Sequence, residues 1–179
     1  MNAGKNLYDR IDEVVMFIDD YFKPQKSDQF FIMDPYFNVF TALRDPFTNN
    51  KLEETIWSSL IILMANEDSS FSIITNEQMS IGIPPSKVDF PKSESKTVNI
   101  EACYYPNGVF YNDYTLHDRY ILRKNGDDVS GLHIGPSLTD IHNKDVSITV
   151  FEIKEAELAL DNFVFIWDQC KLNKGWRKS

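Results

Sequence analysis

Short runs of apolar and β-branched residues recur along the sequence, and residues that favour turns separate them. The runs cover residues 30–33, 71–75, 98–105, 116–122, 132–134 and 146–153. Runs of this length, with turn pairs such as Asn107-Gly108 and Asn125-Gly126 between them, are typical of β-strands rather than of helices. The pattern therefore predicts a β-sheet at the centre of the fold.

Segments with helical character lie before, between and after these runs. Residues 6–22 and 52–66 carry apolar side chains at steps of three and four, and Pro24 ends the first segment. Residues 155–171 are expected to form a closing helix. The order is helix, strand, helix, strand, then closely spaced strands and a last helix. This order predicts an α/β fold in which helices flank a mixed β-sheet.

The length of 179 residues is that of one ordinary domain. We find no internal repeat and no boundary between two units, so we expect a single domain over residues 1–179. Residues 78–97 contain three prolines and many serines and lysines, with little periodicity. We expect this segment to be a long loop.

The sequence has no apolar run long enough to span a membrane and no N-terminal signal peptide, so we expect a cytoplasmic protein. The formal net charge of -9 argues against a broad electrostatic surface for nucleic acid, although it allows a local basic pocket. Cys103 lies in a predicted strand and Cys170 in a predicted helix. We expect both to be small buried apolar groups rather than a disulfide.

The three histidines, His117, His133 and His142, lie far apart and form neither an HxH nor an HExxH pattern. The sequence also lacks a Gly-rich phosphate loop, a dinucleotide-binding fingerprint and a GxSxG motif. We therefore expect no metal and no bound cofactor. His133 is predicted to be a core residue or to support a neighbouring site.

Polar residues follow several predicted strands, and the carboxyl ends of strands are where α/β sheets usually bind ligands. Asp34-Pro35-Tyr36 comes directly after the first predicted strand. Asp34 and Tyr36 are therefore candidates for lining a site. The alternative is an ordinary turn, in which the Asp side chain binds nearby backbone N–H groups.

The triplet His117-Asp118-Arg119 interrupts an apolar stretch. Strand alternation predicts that His117 and Arg119 share one face, with Asp118 on the other. A histidine can attack phosphorus as a nucleophile, while a guanidinium can hold the phosphoryl oxygens through paired N–H donors. The alternative is a half-exposed His and Arg that bind neighbouring carboxylates.

These elements together resemble a phospholipase D-like domain, over about residues 30–151. Members carry a strand with His-x-Lys, an Asp several residues later, and a Gly-Ser/Thr-x-Asn element at the end of the next strand. The matching segments here are Phe31 to Tyr36, His117-Asp118-Arg119, the turn at Asn125-Gly126, and Gly135-Pro136-Ser137-Leu138-Thr139-Asp140. The resemblance implies a phospholipase D-like mixed sheet over the single domain.

The resemblance also implies a site and an activity. His117 would be the nucleophile, Arg119 would bind the phosphoryl oxygens, and Ser137 would donate a hydrogen bond to them. Other residues expected to bind the substrate are Asp34, Tyr36, Gly135 and Asp140. The substrate would be a phosphodiester, for which nucleic acid in a bacterial defence or processing context is the expectation, and no metal would be required.

The sequence departs from the family pattern at three positions. Arg119 replaces the usual Lys, Lys124 stands where the Asp would fall, and Leu138 stands where the Asn would fall. Two outcomes are compatible with these changes. Either Asp127 or Asp128 takes the orienting role of the missing acid, or the pocket binds phosphate without turnover.

Active members use two histidines, and this chain has one copy of the motif. The resemblance thus implies a homodimer that brings two His117 side chains together, or a domain of a larger protein. The alternative function is a degenerate module for binding or dimerisation that recognises a phosphate-bearing ligand, a lipid or a protein. A similar His-Asp-Arg element occurs in such a branch at the C-terminus of microtubule-interacting-and-trafficking proteins. A plain structural domain is the third possibility.

Overall fold

The computed structural model describes residues 5–8, 11–35, 60–61, 63–76, 99–105, 119–135 and 146–172. Within these residues the strands form one seven-stranded sheet in the order β1-β7-β6-β5-β2-β3-β4. The strands are β1 (Lys5–Tyr8), β2 (Gln29–Met33), β3 (Ser70–Asn76), β4 (Asn99–Tyr105), β5 (Tyr120–Asn125), β6 (Asp128–Gly135) and β7 (Val146–Val150). The helices are α1 (Ile11–Phe22) and α2 (Ile153–Leu172).

The sheet is mixed, as the sequence predicts. Strand β2 pairs in parallel with β3, and β3 pairs in parallel with β4. The pairs β2–β5, β5–β6, β6–β7 and β7–β1 are antiparallel. Consequently the carboxyl ends of β2, β3, β4 and β6 lie at the same edge of the sheet as the beginning of β5.

One face of the sheet is covered by α1 and by a helical stretch that includes Leu60, Ile61 and Met64. The helix α1 places Val14, Ile18 and Phe22 at steps of four, which is one face of a helix. All three side chains are buried against strand residues of this face. Burial of this apolar stripe accounts for the position of α1 on the sheet.

The opposite face is covered by α2. Its buried side chains follow steps of three and four along the helix, and they are Ala156, Leu160, Phe163, Trp167 and Cys170. All of these except Ala156 belong to one apolar cluster with Met33, Ile74, Tyr120 and Leu122 of the strands. None of the helices in the described part of the chain is long and apolar enough to cross a membrane.

The structure corrects the first predicted helix. Lys5–Tyr8 is the strand β1, and the helix begins only at Ile11. Leu7 fits the helical spacing of the following residues, but it pairs with Ser147 of β7. That pairing supplies backbone partners from a distant part of the chain, and it overrides the local pattern.

Other predicted elements differ at their ends. The predicted strand 116–122 corresponds to β5, which continues to Asn125, and its residues 116–118 lie outside the described residues. The strand predicted at 132–134 extends over all of β6, and Ile153 belongs to α2 rather than to β7. The predicted loop 78–97 and most of the predicted helix 52–66 also lie outside the described residues.

Gly131 lies where β6 approaches the side chains under α2. A Cβ at this position would meet Leu122 Cδ2 at 2.5 Å and Phe151 Cδ2 at 2.7 Å. Because Leu122 is fully buried, it has little room to move. We expect Gly131→Ala to lower the free energy of unfolding by about 1–3 kcal/mol in urea titrations. Gly135→Ala is the matched control, since its nearest contacts are 3.6 Å away. Equal midpoints for the two variants would contradict this packing.

Candidate functional site

A polar cluster lies at the sheet edge where β2 and β3 end and β5 begins. It contains Asp34 after β2, Thr75 near the end of β3, and Arg119 directly before β5. Asp34 and Thr75 are buried, and Arg119 is half-buried. Three polar side chains therefore lie at an edge of the sheet that the α/β class commonly uses for ligands.

Arg119 and Asp34 form an ion pair. Arg119 Nε lies 3.9 Å from Asp34 Oδ1, and the side chains are 17% and 2% exposed. At this separation the opposite charges of the two side chains attract each other, although these two atoms are too far apart for a hydrogen bond. The antiparallel pairing of β2 and β5 explains the contact. Met33 is opposite Tyr120, and continuing this register by one residue places Asp34 opposite Arg119.

The backbone on either side of Asp34 is fixed to β3. The Asp34 N–H donates to the carbonyl of Ile74 at 3.1 Å, and the Thr75 hydroxyl donates to the carbonyl of Pro35 at 3.4 Å. These bonds hold the turn that follows β2. The carboxylate is thus presented to Arg119 from a rigid position, which limits the orientations of the guanidinium.

The end of β6 lies beside Arg119. The Ile134 N–H donates to the Arg119 carbonyl at 2.8 Å, and the Ser147 hydroxyl donates to the Gly135 carbonyl at 2.5 Å. His133 is opposite Tyr120, so it projects to the α2 face and not to the face of Arg119. Its ring lies 6.3 Å from that of Phe151. The structure therefore separates His133 from the Asp34–Arg119 pair.

The structure brings together those predicted site residues that it describes. Asp34, Arg119 and Gly135 all lie at this sheet edge. The other predicted site residues, His117, Ser137, Tyr36 and Asp140, lie outside the described residues, as does Asp118. Asp34 was predicted to contact substrate, and in the structure it contacts Arg119. Its role as the partner of Arg119 was not visible in the sequence.

The structure contradicts the suggestion that Asp127 or Asp128 orients the site. Both belong to the β5–β6 hairpin, whose turn contains Gly126 with a φ of 59°. At roughly 3.3 Å per strand residue, this hairpin is about 20 Å from Arg119. Lys124 lies at the same distant end, opposite Gln29. An acid at position 124 would not reach Arg119 either, so the missing motif Asp removes no direct partner of this guanidinium.

A second ion pair, at that distant end, links the residue before β2 to β5. Asp28 is fully buried, and its Oδ2 accepts from Arg123 Nε and from the Gln25 N–H, both at 2.7 Å. Its Oδ1 accepts from Asn125 Nδ2 at 2.6 Å. The carboxylate thus ties the segment after α1 to β5. We interpret this pair as structural, and it gives a natural comparison for Asp34–Arg119.

Within the described residues, no group of three His, Cys, Asp or Glu side chains could hold a metal ion. Among the described residues, Arg119 supplies a guanidinium at this edge. Such a group can bind the oxygens of a phosphate or carboxylate through its N–H donors. No protein-family model, no curated protein and no solved structure matches this chain.

Proposed function

We propose that the sheet edge around Arg119 binds a phosphodiester, in a phospholipase D-like domain that uses His117 as its nucleophile. The observation that carries the proposal is the Arg119–Asp34 ion pair at this edge. The segments with the remaining candidate residues adjoin the edge in sequence. His117 precedes Arg119 by two positions, Tyr36 follows Asp34 by two, and Ser137 follows Gly135 by two.

The proposed reaction has two displacement steps. His117 attacks phosphorus, an N–P bond forms, and the bond from phosphorus to the leaving oxygen breaks. His117 of the partner subunit protonates that oxygen. Arg119 and Ser137 bind the non-bridging oxygens, where negative charge increases. In the second step, water attacks phosphorus and gives a proton to His117 of the partner subunit in the proposed homodimer, while the N–P bond breaks and the phosphomonoester product is released.

Asp34 has a positioning role in this proposal. Its carboxylate is buried and faces Arg119, so it favours one orientation of the guanidinium without contacting the substrate. Fixing a catalytic group in advance lowers the reorganisation needed during the reaction. The same carboxylate reduces the net positive charge of the site. Substrate affinity must then come from directed hydrogen bonds rather than from charge alone.

We expect the substrate to be DNA or RNA. The chain has a formal net charge of -9, so its net charge repels a polyanion. Binding should therefore use few phosphate contacts, which predicts a shallow dependence of affinity on salt concentration.

The proposal is tested by hydrolysis of a chromogenic phosphodiester and of single- and double-stranded DNA and RNA. The assay compares the wild type with His117→Ala, each with and without EDTA. We expect cleavage that persists in EDTA and is lost in the variant. Cleavage that needs a metal, or that survives in His117→Ala, would contradict the phosphohistidine mechanism.

The second candidate function is a module that binds a phosphate-bearing ligand without turnover. Lys124 stands where the family motif has an Asp, and this departure favours the second function. Leu138 in place of the motif Asn also favours binding without turnover. A folded, dimeric wild type that binds nucleic acid or a phospholipid without cleaving it, with His117→Ala binding equally well, would support this function.

A further inference from the structure

The Arg119–Asp34 pair carries no net charge, although it lies where the proposed substrate binds. Arg119 Nε is 3.9 Å from Asp34 Oδ1, and both side chains are largely buried. Charges with little exposure are screened only weakly by ions in the solvent. An anion that binds the guanidinium therefore interacts with the carboxylate as well.

The carboxylate of Asp34 is held in place beside the guanidinium. Asp34 is almost fully buried, as are Met33 of β2 and Ile74 of β3. The Asp34 N–H donates to the Ile74 carbonyl, and the Thr75 hydroxyl donates to the Pro35 carbonyl. Held in this way, the carboxylate cannot turn into water when an anion binds.

A phosphate bound at this edge would lie close to both charges. With hydrogen bonds of about 2.8 Å to the terminal nitrogens of Arg119, its phosphorus would be roughly 5–8 Å from the Asp34 carboxylate. That distance is within the Debye length of about 8–10 Å at ionic strengths near the physiological value. Repulsion by the carboxylate therefore opposes attraction by the guanidinium, and it reduces the gain from each added negative charge.

The charge of a phosphate ester depends on how many of its oxygens are esterified. A phosphodiester carries one negative charge, whereas a phosphomonoester carries nearly two above its second pKa of about 6. The second charge gains little from a pair that is neutral overall, and the dianion gives up more hydration when it binds. A site built on a neutral pair therefore favours the monoanion.

We propose that Asp34 is a specificity-determining residue, which makes this edge select phosphodiester monoanions over phosphomonoester dianions. This role rests on the proposed function, because it takes Arg119 as the group that binds the phosphoryl oxygens. Asp34 acts through its charge and through Arg119, without touching the ligand. Hydrolysis of a diester gives an alcohol and a monoester, which loses a further proton above a pH of about 6 and becomes a dianion. The same carboxylate then promotes release of that product.

The test measures binding rather than cleavage, so it separates this role from the proposed catalysis. Phenyl phosphate is the dianionic probe at about pH 8, and methyl phenyl phosphate is the monoanionic probe of similar size. Their dissociation constants are measured in EDTA by ³¹P NMR titration of the intact chain, with His117→Ala as a second background that cannot form a phosphohistidine. We expect wild type to bind methyl phenyl phosphate more tightly at about pH 8, and both probes equally at about pH 5, where both are monoanions.

Asp34→Asn should change the relative affinity for the two probes. At about pH 8 the ratio of the two dissociation constants should shift by on the order of tenfold in favour of phenyl phosphate. Asp28→Asn is the matched control, because it removes the carboxylate that pairs with Arg123 at the opposite end of β5. This control should leave the ratio unchanged.

Several results would overturn the selection by Asp34. They are the same ratio in wild type and Asp34→Asn, an equal shift in Asp28→Asn, a wild-type preference for phenyl phosphate at about pH 8, and no binding of either probe by folded wild type. The wild-type ratios at the two pH values do not depend on whether Asp34→Asn folds. Binding with the expected ratio, but without cleavage of any phosphodiester, would reject the proposed catalysis and leave the selection by Asp34 intact.

Discussion

Arg119→Ala is expected to lower the kcat for phosphodiester hydrolysis by about 10²–10³-fold, which is the usual effect of removing one donor to a developing oxyanion. The guanidinium is half-buried at the sheet edge and is held by Asp34. Arg119→Lys keeps the charge but replaces a planar fork with a point donor, so it should be less impaired than Arg119→Ala. Steady-state kinetics on a chromogenic phosphodiester measure both variants. Full activity in Arg119→Ala would remove this residue from the mechanism.

Asp34→Asn tests whether Asp34 orients Arg119 for catalysis or only stabilises the fold. The variant keeps the size of the side chain and removes the charge that faces Arg119, so we expect a loss of kcat smaller than that of Arg119→Ala. Asp28→Asn is the matched control, because it removes the other buried carboxylate that pairs with an arginine of β5. This control should lower stability and leave the kcat of the folded protein unchanged. Equal losses of kcat in both variants would indicate a general structural effect.

Asp28→Ala is expected to lower the free energy of unfolding by about 3–5 kcal/mol, since it leaves a charged partner buried without its counter-ion. Arg123 is 15% exposed, and the Asp28 carboxylate also accepts from Asn125 and from the Gln25 N–H. Urea denaturation followed by circular dichroism measures the change. The exposed pair Lys26–Glu67 gives a control, because Glu67→Gln should alter stability much less.

A double variant tests the origin of that loss. In Asp28→Asn/Arg123→Met neither residue of this pair carries a charge, so the double variant should be more stable than Asp28→Ala alone. The free energy of unfolding lost in the double variant is compared with the summed losses of Asp28→Asn and Arg123→Met. If the two values were equal, the Asp28–Arg123 contact would not account for the effect.

The spacing of apolar residues along the sequence predicted those strands and helices that are strongly apolar. The buried run in β2 follows from its place between β5 and β3, where both faces are covered. The strand β1 was missed because it has only four residues and because Leu7 also suits a helical stripe. Its pairing with β7 depends on partners that local sequence does not reveal.

The candidate site was predicted only in part. The sequence identified Arg119 because a charged residue there precedes an apolar run. It identified Asp34 because an acidic residue there follows another apolar run. Their contact requires β2 and β5 to be antiparallel neighbours in one register. That arrangement depends on the strand order of the whole sheet. The same reason explains why the sequence did not predict the Asp28–Arg123 pair.

The most direct test of the central claim is the pre-steady-state release of nitrophenol from bis(4-nitrophenyl) phosphate in EDTA. A phosphohistidine on His117 predicts a burst of nitrophenol in proportion to the enzyme concentration, where breakdown of the intermediate is the slow step. His117→Ala should show neither the burst nor later turnover. Release that continues in His117→Ala, or no release at all by folded, dimeric wild type, would contradict the claim that His117 acts beside Arg119 as a nucleophile.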